Sequence, residues 1–206
     1  MSANFNNSAW FYDRLSRLVY GKALISAQVY LLQYVSPNAN ILIVGGGTGW
    51  ILEELTKIHP SGLNITYAEV APKMIALSQK RNISNNHVVF INDAIENVAL
   101  SSNFDVVITP FLFDNFTEQT TSKVFNHIHS QLKSSGLWLN CDFQLSGKLW
   151  QNILLKSMFL FFRIICDIEA SQLPDIEKHF AIHNYKCIEQ QTFFGDFIIS
   201  KVYLKV

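Results

Sequence analysis

Four of the nine glycines in this 206-residue chain, Gly45, Gly46, Gly47 and Gly49, lie within five consecutive residues. They follow the apolar run Ile41–Val44. A buried strand that enters a glycine loop and then a helix brings bare backbone N–H groups close to a ligand, where a Cβ atom would collide. The window therefore predicts a ligand-binding loop, and a tight turn selected only for its geometry is the alternative.

The spacing of these glycines argues against one common ligand. A dinucleotide fingerprint, G-x-G-x-x-G, ends in Gly or Ala so that the helix can pack closely on the strand. Counting from Gly45, that last position is Trp50, and the pattern is instead G-x-G-x-G. The large indole therefore disfavours an NAD-binding loop.

Two carboxylates follow the loop at the ends of the next two predicted strands. Glu69 is placed to accept hydrogen bonds from both hydroxyls of a ribose. Asp93, with the N–H of Ala94, could bind the amino group and ring nitrogen of an adenine. Each acid alone could equally be a surface or turn residue. Together with the glycine loop, they predict an adenosine site.

These motifs, in this order, resemble those of the class I S-adenosylmethionine-dependent methyltransferases, from about Ile41 to the C-terminus. The matching segments, in the family's order of motifs, are ILIVGGGTG (41–49), YAEVAPKM (67–74), NDA (92–94), FDVVITP (104–110) and LKSSGLWLNCDF (132–143).

The resemblance implies S-adenosylmethionine as cofactor and S-adenosylhomocysteine as product. It implies that the glycines lie along the methionine part, that the acid of the second strand holds the ribose and that the third motif contacts the adenine. One departure is Ile43, where family members often have an acidic residue. The expected cofactor-binding residues are Gly45, Gly46, Gly47, Gly49, Glu69, Val70, Asp93, Ala94 and Thr109.

On the acceptor side, the sulfonium methyl group is already activated, so alignment of a nucleophile for in-line displacement is the main requirement. A general base is optional, and Asp142 is a weak candidate for one, with a turn or cap role equally weighed. The segment 109–114 lacks the Asn-Pro-Pro-Tyr type sequence of many amino-group methyltransferases. The expected substrate residues are Trp10, Tyr12, Phe111, Phe113 and Trp150.

The segment Trp10–Asp13 resembles the N-terminal segment of methyltransferases that act on quinone-like and other small apolar molecules. We therefore expect methyl transfer to a small, apolar or aromatic acceptor. The alternatives are a non-catalytic member of the fold that binds an adenosine cofactor or a partner, and an NAD(P)-dependent oxidoreductase. The second is disfavoured by Trp50 and by the absence of a Tyr-x-x-x-Lys motif.

The elements that must position these residues alternate between short apolar strands and helices, which predicts an α/β fold with a parallel sheet. Pro72 is expected in the first turn of one helix, and Thr117 is expected to cap another that Ser135-Gly136 ends. The runs 185–194 and 197–206, separated by Gly195 and Asp196, predict a terminal hairpin. With the resemblance, the expected fold is a Rossmann-like, doubly wound sheet of seven strands in the order 3-2-1-4-5-7-6, its last strand antiparallel, plus N-terminal helices. We expect one domain, 1–206, with a helical cap (1–36) and a core (37–206).

Composition limits the partners. Charged residues make up 16% of the chain and balance to zero, and only four are Arg, so a nucleic-acid partner is not expected. Three scattered cysteines indicate reduced thiols and a cytoplasmic location, and no ligand spacing suggests a metal. The apolar segment 149–168 contains Lys156 and Arg163, so no membrane span is expected. Part of its wide apolar face is predicted to line the substrate pocket or to form a homodimer contact, and ordinary core packing is the equally weighed alternative.

Overall fold

The computed structural model describes residues 18–100, 103–166 and 170–206. Within them, seven strands form one sheet in the order β3-β2-β1-β4-β5-β7-β6. Strand β7 is antiparallel to both of its neighbours, β5 and β6, and the other pairs are parallel. The predicted fold class, strand order and antiparallel last strand are therefore confirmed. The strands are β1 (Asn40–Val44), β2 (Ser61–Ala68), β3 (Asn85–Ile91), β4 (Phe104–Pro110), β5 (Leu132–Phe143), β6 (Tyr185–Phe193) and β7 (Ile198–Lys205).

The α-helices of the described residues are α1 (Ala23–Leu32), α2 (Trp50–Ile58), α3 (Pro72–Ser78), α4 (Glu118–Gln131), α5 (Leu149–Cys166) and α6 (Ile176–Ile182), with short 3-10 turns at Ile95–Asn97 and Phe113–Asn115. Of the expected N-terminal cap, residues 18–36 are described and include α1. Thr117 caps α4 by accepting a hydrogen bond from the backbone N–H of Thr120, as its sequence position predicts.

One helix end was predicted wrongly. The pair Ser135-Gly136 was expected to end the helix, but α4 ends at Gln131 and the pair lies inside β5. The ammonium of Lys205 donates hydrogen bonds to the carbonyls of His129 and Leu132, at 2.6 and 2.7 Å. These long-range bonds satisfy carbonyls at the helix end, where a glycine cap would otherwise be expected.

Strand β1 shows why the strands of this sheet appear in the sequence as continuous apolar runs. Its side chains point alternately to the two faces of the sheet. Ile41 and Ile43 belong to a core with α1 and α2, and Leu42 and Val44 belong to a second core with α4. Because helices cover both faces, all four residues from Ile41 to Val44 are buried. The carboxyl ends of β1 to β4 meet at one edge, where the candidate site lies.

Candidate functional site

A cavity of about 540 Å³ opens at the carboxyl ends of β1, β2, β3 and β4. Its volume falls within the usual range for small-molecule sites, roughly 300–1,000 Å³. The sequence singled out eight of its lining residues, namely Gly45, Gly46, Gly47, Glu69, Val70, Asp93, Ala94 and Phe111.

The glycine loop needs its glycines for different reasons. Gly45, Gly47 and Gly49 have φ angles of 71°, 61° and 78°, a region that favours glycine. A Cβ on Gly46 would lie 2.5 Å from the ring of Tyr67, which fills the space beneath the loop. A Cβ on Gly47 would meet nothing within 4 Å. Gly47 is therefore the position where bare backbone faces open cavity.

Two side chains brace the loop from outside the motif. The hydroxyl of Tyr67 donates to the carbonyl of Gly47 at 3.0 Å. Arg81 donates from Nε to the carbonyl of Thr48 at 2.9 Å and from Nη2 to its hydroxyl at 3.3 Å. Arg81 also forms an ion pair with Glu53 at 3.5 Å. Sequence reasoning missed both contacts: Tyr67 lies in a matched segment that does not report its bond to the loop, and Arg81 lies outside every matched segment.

Glu69 joins the end of β2 to the glycine loop. Its side chain accepts hydrogen bonds from the N–H of Gly47 at 3.1 Å and of Ala71 at 2.9 Å. Glu69 is 7% exposed, and this burial raises the pKa of its carboxyl group. The N–H of Val70 also bonds to this carboxylate. A carboxylate has about four acceptor positions, so one remains for a hydroxyl in the cavity.

The end of β3 supplies a second carboxylate at the cavity wall. Oδ1 of Asp93 accepts bonds from the N–H of Ala94 at 2.7 Å and from Nδ2 of Asn97 at 3.1 Å. The N–H of Ala94, which was expected to contact adenine, is thus bonded to its neighbour's side chain. Oδ2 of Asp93 is the acceptor that remains for a ligand.

Two of the expected cofactor residues serve packing. Gly49 is the N-cap residue before α2, and a Cβ there would collide with Cβ of Ser78, so this glycine allows α2 and α3 to approach each other. Thr109 is fully buried between strands, where it accepts from Nε1 of Trp138 and donates to Oδ1 of Asn140, each at 2.8 Å. Neither residue is among those that line the cavity.

Among the expected substrate residues, Phe111 lines the cavity, with a φ angle of 51°. Phe113 is 1% exposed and packs in the core beside α4, and Trp150 packs against the β6–β7 turn. Neither side chain lines the cavity, because Phe113 is held in the core and Trp150 lies 40% exposed beside that turn. Trp10 and Tyr12 lie outside the described residues.

Asp142 does not face the cavity as the expected base would. It accepts a hydrogen bond at Oδ2 from the N–H of Phe113, at 3.2 Å, and at Oδ1 from its neighbour Phe143, at 2.9 Å. Burial raises the pKa of its carboxyl group to about 7. Burial and the charge of Asp142 also raise the pKa of nearby Asp114. Asp142 therefore anchors the backbone of the turn after β4.

The cavity wall also contains residues that sequence reasoning missed. Gln28 reaches it from α1, a helix whose sequence carries no ligand motif, and Trp50 begins α2 there. The charged side chains among the described lining residues are Glu69, Asp93 and Glu96, with no Lys, Arg or His. Such a wall favours a ligand that carries positive charge over an anionic one.

Comparison with known proteins agrees with the sequence motifs. Residues 41–136 match the family described as "Methyltransferase domain". Over 133 residues the chain is 34% identical to a malonyl-[acyl-carrier protein] O-methyltransferase of Bacillus cereus, covering 62% of this chain and 48% of that protein. The chain thus spans about half the length of the curated relatives it matches.

Solved structures show the same fold. The magnesium protoporphyrin IX methyltransferase of Synechocystis PCC 6803, solved with S-adenosylhomocysteine bound, aligns with a TM-score of 0.67 at 14% identity, over 89% of this chain and 82% of that one. Human N-acetylserotonin methyltransferase, in complex with S-adenosylmethionine, aligns at 0.63 and 15%, over 88% and 52%. Residues 41–136 therefore match a methyltransferase domain, and the sheet built around them has the fold of these solved methyltransferases.

Proposed function

We propose that this chain transfers a methyl group from S-adenosylmethionine to a small, apolar or aromatic acceptor. The observation that carries the proposal is the junction of Gly47 and Glu69, where bare backbone and a buried carboxylate meet at one cavity wall. An adenosine ligand with a cationic sulfur suits this wall, because its hydroxyls need acceptors and its charge needs nearby anions.

The residues that would hold the cofactor follow from the cavity. Gly45–Gly47 offer backbone beside the methionine part, Glu69 accepts from the ribose, and Asp93 accepts from the adenine amino group. When bound, S-adenosylmethionine supplies a sulfonium-activated methyl group. The protein's contribution is to align the acceptor and exclude water, with reacting atoms about 3–3.5 Å apart.

A neutral acceptor fits the acceptor side best. Phe111 and Phe116 contribute aromatic rings to the wall, and Gln28 contributes an amide. The charged side chains of the described wall are all acidic, so an anionic acceptor would be repelled and would lack a cation to pair with. An apolar or aromatic molecule avoids that penalty.

A malonyl thioester on an acyl-carrier protein is the second candidate, favoured by the name of the curated relatives. The carboxylate of that acceptor would face the same acidic wall. The chain also spans only about half of those relatives. A non-catalytic cofactor-binding role is the remaining alternative.

Calorimetric titration with S-adenosylmethionine, S-adenosylhomocysteine and NAD tests the cofactor. We expect both sulfur compounds to bind in preference to NAD, and Glu69→Ala to weaken them more than tenfold through the loss of charge-assisted hydrogen bonds. Glu189→Ala, an exposed acid on β6, is the matched control. Preference for NAD, or binding unchanged by Glu69→Ala, would refute the proposal.

A labelled-methyl assay then distinguishes the acceptors. Wild-type protein is incubated with labelled S-adenosylmethionine and either a panel of neutral aromatic metabolites or malonyl-loaded acyl-carrier protein. Label on an aromatic metabolite supports the first candidate. Label on the malonyl group alone selects the second, and tight cofactor binding without any labelled product selects the non-catalytic alternative.

A further inference from the structure

Helix α5 has an unusual amount of apolar surface on both sides. It is the one helix among the described residues that is long and apolar enough to cross a membrane by length and composition, with a mean hydropathy of 1.4. Its inner side packs in the core through Leu155, Met158 and Phe159. The hydroxyl of Tyr20 also donates to the sulfur of Met158 at 3.3 Å. These contacts hold α5 along the protein surface.

The outer side of α5 carries a second apolar face. Leu149, Ile153, Leu160 and Ile164 are 82%, 68%, 60% and 74% exposed. Their spacing of four, seven and four residues places them on one line along the helix. At 1.5 Å per residue, this outer stripe is roughly 22 Å long. The exposed residues Lys156 and Ser157 separate its two apolar pairs, Leu149 with Ile153 and Leu160 with Ile164. Monomeric soluble proteins seldom leave several large apolar side chains exposed along one line, whereas binding surfaces often do.

Positive charge accompanies the outer stripe. Residues 144–166 contain three cations and no Asp or Glu, although the whole chain has a net charge of zero. Lys148 pairs with Asp196 at 2.9 Å. Lys156 and Arg163 are exposed, and their helical positions lie along one edge of the stripe. A surface that covers the stripe is therefore expected to be apolar with negative charge at its border.

We propose that the outer stripe binds the surface of a membrane that contains anionic lipids, with α5 lying in the plane of the interface. Leu149, Ile153, Leu160 and Ile164 would enter the boundary of the acyl chains, and Lys156 and Arg163 would extend to the lipid phosphates. This inference goes beyond the proposed methyl transfer and does not depend on it.

A second copy of the chain fits the stripe less well. In a two-fold symmetric contact, two α5 helices would pair in antiparallel fashion about the middle of the stripe, near Lys156. The Lys156 side chains of the two copies would then approach each other. Residues 144–166 offer no acid to neutralise them. An anionic bilayer supplies the missing negative charge.

Co-sedimentation with lipid vesicles tests the proposal. Wild-type protein is mixed with vesicles of phosphatidylcholine alone or with added phosphatidylglycerol, at low and high salt. We expect sedimentation with the phosphatidylglycerol vesicles at low salt and weaker binding at high salt, because the charge attraction is screened. Leu160→Ser/Ile164→Ser should weaken binding more than tenfold, because two large apolar side chains are lost.

A second variant and two controls separate membrane binding from folding. Lys156→Gln/Arg163→Gln should weaken binding about fivefold for each cation removed. Ile182→Ser, an exposed isoleucine on α6, and Lys186→Gln, an exposed lysine on β6, should bind as the wild type does. All variants should keep the wild-type melting temperature, because the replaced side chains are exposed. If the serine variant fails to fold, the charge variant decides the result.

Three results would overturn the inference. The first is wild-type protein that stays in the supernatant with phosphatidylglycerol vesicles at low salt. The second is a dimer in analytical ultracentrifugation that Leu160→Ser/Ile164→Ser converts to monomer, which would assign the stripe to a second copy. The third is vesicle binding that both double variants retain in full, which would assign it to another surface.

Discussion

Substitution of Gly47 by alanine tests whether the cofactor packs against the exposed backbone of the glycine loop. A methyl group there would meet no protein atom within 4 Å and would project into open space at the cavity wall. The φ angle of 61° adds strain, because a left-handed conformation costs a residue with a Cβ about 1–2 kcal/mol. Gly47→Ala is therefore expected to lose some stability and more than tenfold of its affinity for S-adenosylhomocysteine.

Gly21 provides a matched control for the strain. Its φ angle is 59°, and a Cβ there would also meet nothing within 4 Å, but it does not line the cavity. Both alanine variants should lower the melting temperature by roughly 2–8 °C, since 1 kcal/mol corresponds to about 2–4 °C for a chain of this size. Only Gly47→Ala should weaken ligand binding.

Gly46→Ala differs from Gly47→Ala because its new Cβ would collide with the protein instead of entering the cavity. Its Cβ would lie 2.5 Å from the ring of Tyr67, which is fully buried and cannot move aside. Overpacking of this kind costs about 1–3 kcal/mol. Thermal unfolding and calorimetric titration with S-adenosylhomocysteine measure both quantities for all three variants. The reasoning fails if Gly47→Ala binds as tightly as the wild type, or if Gly21→Ala loses as much affinity.

Three further predictions concern residues around the cavity. Thr109→Val should lower the free energy of unfolding by about 1–3 kcal/mol, because the indole N–H of Trp138 loses its buried acceptor; a large loss of S-adenosylhomocysteine affinity would contradict this structural role. Burial raises the pKa of Asp142 and of neighbouring Asp114 above the ordinary value of 3.8, so ionisation of either acid destabilises the fold and the wild-type melting temperature should fall as pH rises above about 4. Asp142→Asn should flatten that fall, and equal slopes would exclude the assignment. Arg81→Lys cannot keep both bonds to Thr48, so KM for S-adenosylmethionine should rise several-fold with kcat nearly unchanged; a reduced kcat at unchanged KM would argue against loop positioning.

The fold could be predicted largely because its signals are local. The buried strands are apolar runs, and Gly195-Asp196 marks the terminal hairpin. Pro72 and Thr117 mark helix starts at their own positions. The end of α4 could not be predicted in this way. Its carbonyls bond to Lys205, more than seventy residues away in sequence, and no local pattern reports such a partner.

The residues of the candidate site were likewise predictable only where their signals are local in sequence. The glycine loop, Glu69 and Asp93 could be placed because the carboxyl ends of parallel strands share one edge of the sheet. Thr109 precedes the cavity-lining end of β4, and its side chain bonds between strands. The contact of Arg81 with the loop could not be predicted, because Arg81 bonds to Thr48 over a long sequence separation that no motif reports.

The turn after β4 places an aromatic residue, Phe111, where the methyl acceptor is proposed to bind. Phe111, whose φ angle of 51° is rare for a residue with a Cβ, has its carbonyl bonded by Nδ2 of Asn115 at 3.0 Å. Two residues on, the N–H of Phe113 donates to the buried carboxyl of Asp142. Asp142, which the sequence suggested as a base, thus holds the backbone of this aromatic turn instead. The proposed methyl transfer would then depend on alignment more than on proton removal, which favours acceptors whose reacting atom gives up its proton readily or carries none.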